Sequence, residues 1–97
     1  MDDVSKLQAE LCKVIANPKR IRIIKFLKDG ERSVLEIGKA LGISQSNASQ
    51  HLTIMRAKGV VATRENGREV YYRLSVPELA RACEMVGEAL KRLKERK

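Results

Sequence analysis

The 97-residue sequence predicts a mainly α domain with a small β-hairpin, its elements ordered ααααββα. Three observations carry that expectation. Apolar residues recur every three or four positions through five segments, each bracketed by capping or stop residues. Between the fourth and fifth segments lie two β-branched and aromatic runs around Asn66-Gly67, a strong short hairpin signal. No linker, repeat or low-complexity tract interrupts the chain, so residues 1–97 read as one domain.

Val4, Leu7, Leu11 and Ile15 define the first helix. Asn17 caps the second and Pro18 opens it, with Ile21, Ile24 and Leu27 inward, Lys19, Arg20 and Arg22 on the exposed start, and Asp29-Gly30 as the stop. Ser33-Val34-Leu35-Glu36 fits a capping box for a third helix carrying Leu35, Ile37 and Leu41, which Gly42 ends. Ser44 caps a fourth helix running to about Lys58, with Ala48, Leu52 and Met55 as its inner stripe and Gly59 as its left-handed stop. The strands follow over residues 60–64 and 69–74. Ser75-Val76-Pro77-Glu78 reads as a second capping box, launching a last helix to about Glu95.

Composition narrows the function. Lys and Arg total 20 against 12 Asp and Glu, a formal net charge of +8, so a polyanionic partner is expected: nucleic acid or an anionic membrane surface. No export signal is visible after the acidic start Met1-Asp2-Asp3, and the longest charge-free stretch, Ala40 to Met55, is too rich in Ser, Gln and Asn to span a bilayer. A cytoplasmic, reducing setting is therefore expected for the two cysteines. Two Cys and one His cannot build a four-ligand zinc cage, and no cofactor is implied. The chain offers neither a Gly-rich phosphate loop nor a nucleophile paired with His, which argues against an enzyme. Three aromatics are too few for a base-stacking binder of single strands.

The charge-free stretch points to double-stranded DNA. Two short helices joined by a Gly-containing turn, over residues 33–58, form a helix-turn-helix pattern. In a chain one-third charged, the outer face of its second helix carries Gln45, Ser46, Asn47, Ser49, Gln50 and Thr53. Short neutral donors and acceptors suit base edges. Ser44 at the helix start adds amides that favour a phosphate. The hairpin over 60–74 reads as a wing, with Arg64 and Arg68 flanking its tip to follow the backbone or enter a minor groove. Binding DNA without sequence preference stays open beside this reading, while a purely protein-binding winged helix would not need that neutral face beside two Arg.

Three blocks resemble the ArsR/SmtB family of winged helix-turn-helix repressors: Ala16-Asn17-Pro18-Lys19-Arg20-Ile21-Arg22-Ile23-Ile24, Ser44-Gln45-Ser46-Asn47-Ala48-Ser49-Gln50-His51-Leu52 and Gly67-Arg68-Glu69-Val70-Tyr71-Tyr72-Arg73-Leu74. They occur in order, within a match spanning roughly residues 9 to 93. The resemblance implies a homodimer that reads an inverted repeat and releases it when a sensor site changes state. His51 stands where the family usually has His, and its expected part is a DNA-backbone contact or a packed edge.

Dimer and sensor are the remaining expectations. Leu79, Cys83, Val86, Leu90 and Leu93 make a four-three-four-three seam suited to a second helix. By family analogy the first helix, through Leu7 and Leu11, completes that interface, making 1–16 and 76–95 the dimerisation helices. The family's Cys-x-Cys metal site is missing, since Ser33 and Leu35 occupy its positions. The last helix offers Glu78, Glu84 and Glu88 but no His. No metal site is expected. Cys12 and Cys83 then allow a thiol switch, although thiol-sensing relatives carry their first Cys near Ile24 or Lys25. The alternative is inert cysteines in a regulator controlled by another ligand or by none.

Overall fold

The computed structural model describes residues 3–96. Met1, Asp2 and Lys97 lie outside the described residues, and with them most of the acidic start and the outer limits of the expected 1–97 domain. The order is α1 (Val4–Ile15), α2 (Pro18–Phe26), a short 3-10 turn (Leu27–Asp29), β1 (Arg32–Ser33), α3 (Val34–Leu41), α4 (Gln45–Ala57), β2 (Val61–Asn66), β3 (Glu69–Leu74) and α5 (Glu78–Glu95).

The five helices and the hairpin stand where the periodicity puts them. Asn17 Oδ1 accepts the amides of Lys19 at 2.9 Å and Arg20 at 3.3 Å, so α2 begins on a satisfied cap. The stripe of α2 is wider than the spacing implies. Ile23, Ile24 and Leu27 are buried while Ile21 is only half-buried, because α2 is packed on several sides, by α1, α3, α4 and α5. Lys19 and Arg20 are half-buried too, and of the three expected exposed cations only Arg22 is fully exposed.

Ser33 forms the expected capping box: its Oγ accepts the Glu36 amide at 3.1 Å, and its own amide donates to Glu36 Oε1 at 2.8 Å. The same residue lies in β1, a strand absent from the sequence expectation. Arg32 and Ser33 pair with Tyr72 and Tyr71, giving an antiparallel sheet in the order β1-β3-β2. Two residues carry too little pattern to be read as a strand.

Gly38 is buried in α3, where a Cβ would sit 3.1 Å from the Ile43 carbonyl oxygen. The helix-turn-helix closes over that missing side chain. Within α4, Ala48, Leu52 and Met55 are fully buried and complete the core with Ile37, Val60, Val61 and Leu74. Leu35, apolar but at the start of α3, faces out.

Two local expectations change. Asn66 pairs with Glu69, so the hairpin tip is Gly67-Arg68 rather than Asn66-Gly67. Of these two tip residues only Gly67 has positive φ, at 65°, which is the sign pattern of a turn with Gly at its first central position. The capping box expected at Ser75 does not form either. Pro77 is the N-cap of α5, with no side-chain cap bond. The amides of Leu79 and Ala80 are met by the carbonyls of Val76 and Pro77, and the Ser75 amide is spent on the Val60 carbonyl.

Candidate nucleic-acid interface

Helix α4 begins on Ser44, whose Oγ accepts the Asn47 amide at 3.0 Å. That hydroxyl is thereby engaged as a cap, so Ser44 offers the helix start rather than a free side chain. Gln45, Ser46 and Gln50 are exposed, with Ser46 and Gln50 one turn apart on a common face. Thr53 is exposed as well, but its Oγ1 donates back to the Ser49 carbonyl at 2.8 Å and keeps only acceptor capacity. Ser49 is half-buried.

Asn47 and His51 depart further from the expected open face. The Asn47 Oδ1 is buried and makes no hydrogen bond. Pairing an Asn with adenine uses both its oxygen and its amide nitrogen. Asn47 therefore cannot present that pair of groups from this position. His51 is half-buried, and its Nδ1 accepts from Arg20 Nε at 3.2 Å. Burial, with Arg20 and Lys19 nearby, holds the imidazole below its ordinary pKa of 6.5, so His51 is neutral at neutral pH.

The two wing arginines differ as well. Arg68, at the hairpin tip, is exposed. Arg64 is clamped: its Nε donates to both Glu31 carboxylate oxygens, at 3.0 and 3.1 Å, and its Nη2 donates to Oε1. Its guanidinium also lies 5.2 Å from the Tyr71 ring centre. This pairing holds the Glu31 carboxyl below its usual range. Glu31 had no sequence signal, because its partner is 33 residues away. Arg20 stood out only as a cation.

The expected dimer residues divide by position. Leu11, Leu79 and Cys83 pack against the core of the chain itself. Leu7, Val86, Leu90 and Leu93 are exposed, with Met85 beside them. Cys12 is exposed and Cys83 half-buried, and both are free thiols. Burial pushes the Cys83 thiol above its ordinary 9.0, against a smaller opposing pull from Lys25. Among the described residues no group of three or more His, Cys, Asp or Glu could hold a metal ion, and no helix is long and apolar enough to cross a membrane.

Comparison with known proteins gives the family of the chain. Residues 17–63 match the family described as bacterial regulatory protein, arsR family. An uncharacterized HTH-type transcriptional regulator of Mycobacterium tuberculosis, Rv0081, is 38% identical over 89 residues, 91% of this chain and 78% of that protein. Its crystal structure superposes with a TM-score of 0.84, covering 99% of this chain and 97% of that one. The transcriptional activator HlyU of Vibrio cholerae is 38% identical over 86 residues, 89% of this chain and 80% of HlyU. A HlyU structure matches with a TM-score of 0.82, over 92% of this chain and 97% of that one. The solution structure of the homodimeric winged helix-turn-helix domain of Mb0332 from Mycobacterium bovis matches at 29% identity and a TM-score of 0.83, over all of this chain and 93% of that domain. With the matched stretch running from the cap of α2 through α4 into β2, the chain belongs to the arsR family and is a DNA-binding transcriptional regulator.

Proposed function

We propose that the protein is a homodimeric, cytoplasmic repressor that reads an inverted-repeat operator in double-stranded DNA and leaves it in response to a chemical signal. The carrying observation is the outward face of α4, where Gln45, Ser46 and Gln50 are exposed and uncharged beside the exposed Arg68 of the wing. In this reading residues 33–58 are the helix-turn-helix and 60–74 the wing. Gln45, Ser46 and Gln50 contact base edges, the α4 start at Ser44 and Arg68 contact phosphate, and Asn47, Ser49, His51 and Thr53 fill the edges of the footprint. Arg64 acts after Glu31 yields it, or shapes the wing from where it is.

The second copy packs on the faces of 1–16 and 76–95. Leu7 on α1 and Val86, Leu90 and Leu93 on α5 are large apolar side chains turned away from their own core. The homodimeric state of the related Mb0332 domain supports that partner. A two-fold dimer reads two half-sites about 34–36 Å apart along the duplex. The test is selection from a random duplex pool at moderate salt. An enriched inverted repeat with that spacing, blocking transcription when placed over a promoter, is the expected result. Equal retention of every sequence sinks sequence reading, and activated transcription sinks repression.

A second reading concerns the signal. The burial that raises the Cys83 thiol weakens it as a nucleophile, which favours inert cysteines over a Cys12–Cys83 switch. Oxidant or arsenite releasing wild type from DNA, but not Cys83→Ser, reverses that preference.

A further inference from the structure

The end of α1 leaves a backbone acceptor without its usual partner. In an α-helix the carbonyl of Val14 accepts from the amide four residues on. That residue is Pro18, which has no N–H. The side chain of Arg20 takes the place: its Nη1 donates to the Val14 carbonyl at 2.9 Å. The same guanidinium donates through Nε to His51 Nδ1 on α4, at 3.2 Å. One planar fork thus joins the last turn of α1, the first turn of α2 and the middle of the reading helix.

This contact dictates the chemistry of His51. A guanidinium can only donate, so Nδ1 must be the bare nitrogen and the neutral ring carries its proton on Nε2. Nε2 has no acceptor among the described residues and is not among the buried polar atoms that lack a partner. It is left to donate to an acceptor outside the chain.

We propose that Arg20 is a positioning residue for DNA binding: it ties α4 to the end of α1 and fixes His51 as the tautomer whose Nε2–H donates to the DNA backbone. The proposal rests on the reading of α4 as the DNA-contacting helix. Through α1, which carries Leu7 on its outer side, the same fork links the face assigned to the second copy with the face assigned to DNA.

His51 is the single histidine of the chain, so its ring nitrogens can be followed by NMR without assignment ambiguity. Nitrogen shifts of the DNA-free protein above pH 7.5 should show the Nε2–H tautomer in wild type. Arg20→Lys keeps the charge but cannot form both arms of the fork, and should give a tautomer mixture. With the duplex enriched from a random pool by wild type, Arg20→Lys should bind about tenfold more weakly. Affinity for random duplex should fall by a similar factor, because a contact to the DNA backbone carries no sequence information. In a His51→Gln background, which offers no acceptor at the Nδ1 position, Arg20→Lys should cost nothing further.

An unchanged tautomer in Arg20→Lys overturns the proposal. So does an equal loss of affinity in the wild-type and His51→Gln backgrounds, which would make Arg20 act elsewhere. Thermal unfolding of each variant keeps loss of fold apart from loss of positioning, and should Arg20→Lys not fold, His51→Asn and His51→Gln compared on the enriched duplex decide between them. His51→Asn retains an acceptor near Nδ1 but no Nε2 donor, so it should bind no better than His51→Gln. If no duplex is enriched, the reading of α4 fails and the tautomer measurement alone judges Arg20.

Discussion

Helices α4 and α5 are both amphipathic, and they spend that property in opposite directions. On α4 the apolar stripe Ala48, Leu52 and Met55 is fully buried and the polar side faces out. On α5 only Ala80 is buried, with Leu79 and Cys83 resting on the core, while Val86, Leu90 and Leu93 point away from it. Periodicity alone treats the two stripes as equals. What separates them is distance from the rest of the chain. Helix α4 is held between α3 and the start of β2, whereas the second half of α5 runs past the elements it could pack on. Helix α4 folds the domain; α5 leaves its outer apolar face uncovered by its own chain.

Substitutions on the two stripes should break this contrast most visibly. Leu90→Asp puts a charge into the outer stripe of α5 twice per dimer. Removing two leucines from a shared interface costs roughly 4 kcal/mol, about a thousandfold in the dimer dissociation constant, before the charge is counted. Light scattering at micromolar protein should show single chains with an unchanged helical spectrum. Leu52→Ala acts inside one chain and should cost about 2–5 kcal/mol of unfolding free energy in denaturant melts. A Leu52→Ala protein that keeps its stability contradicts the buried stripe.

Smaller effects sharpen the division within the DNA surface. Gln50→Ala should lose about 1–3 kcal/mol of discrimination at one base position and leave random duplex untouched. Arg68→Ala should weaken all sequences alike and lower the salt dependence by about one ion per protomer. Comparable sequence selectivity in both variants would erase the difference between helix and wing.

The smallest expected effect is one of pH. His51 titrates below its ordinary 6.5 in the folded chain. The unfolded chain therefore takes up the proton first, and stability should hold above that value and fall as pH drops below it. His51→Asn should remove this slope below pH 6.5. An unaltered slope would place the proton uptake on another group.

Much of this was legible in the sequence, and the largest failures at the site share a cause. The five helices, the hairpin, the cap at Asn17, the capping box at Ser33 and the inner stripe of α4 are local features, set by residues within one or two turns of each other. The contacts that reshape the site are long-range. Arg64 meets Glu31 and Arg20 meets His51 across 33 and 31 residues, and no periodicity encodes such pairs. Gly38 reads as an ordinary weak spot in a helix until Ile43 is seen against it. The wing turn shifted by one residue because a single Gly with positive φ satisfied it, leaving Asn66 free to pair in the ladder.

Ser33 belongs to two structures at once, strand β1 against β3 and the cap of α3. Any tilt of the wing pulls on β1, and through Ser33 on the hydrogen bond that holds the Glu36 amide. The hairpin and the helix-turn-helix are thus geared together at one hydroxyl. If the wing holds DNA as proposed, exchange of the Glu36 amide with solvent deuterium should slow on binding, a readout of wing motion more than 30 residues further along the chain.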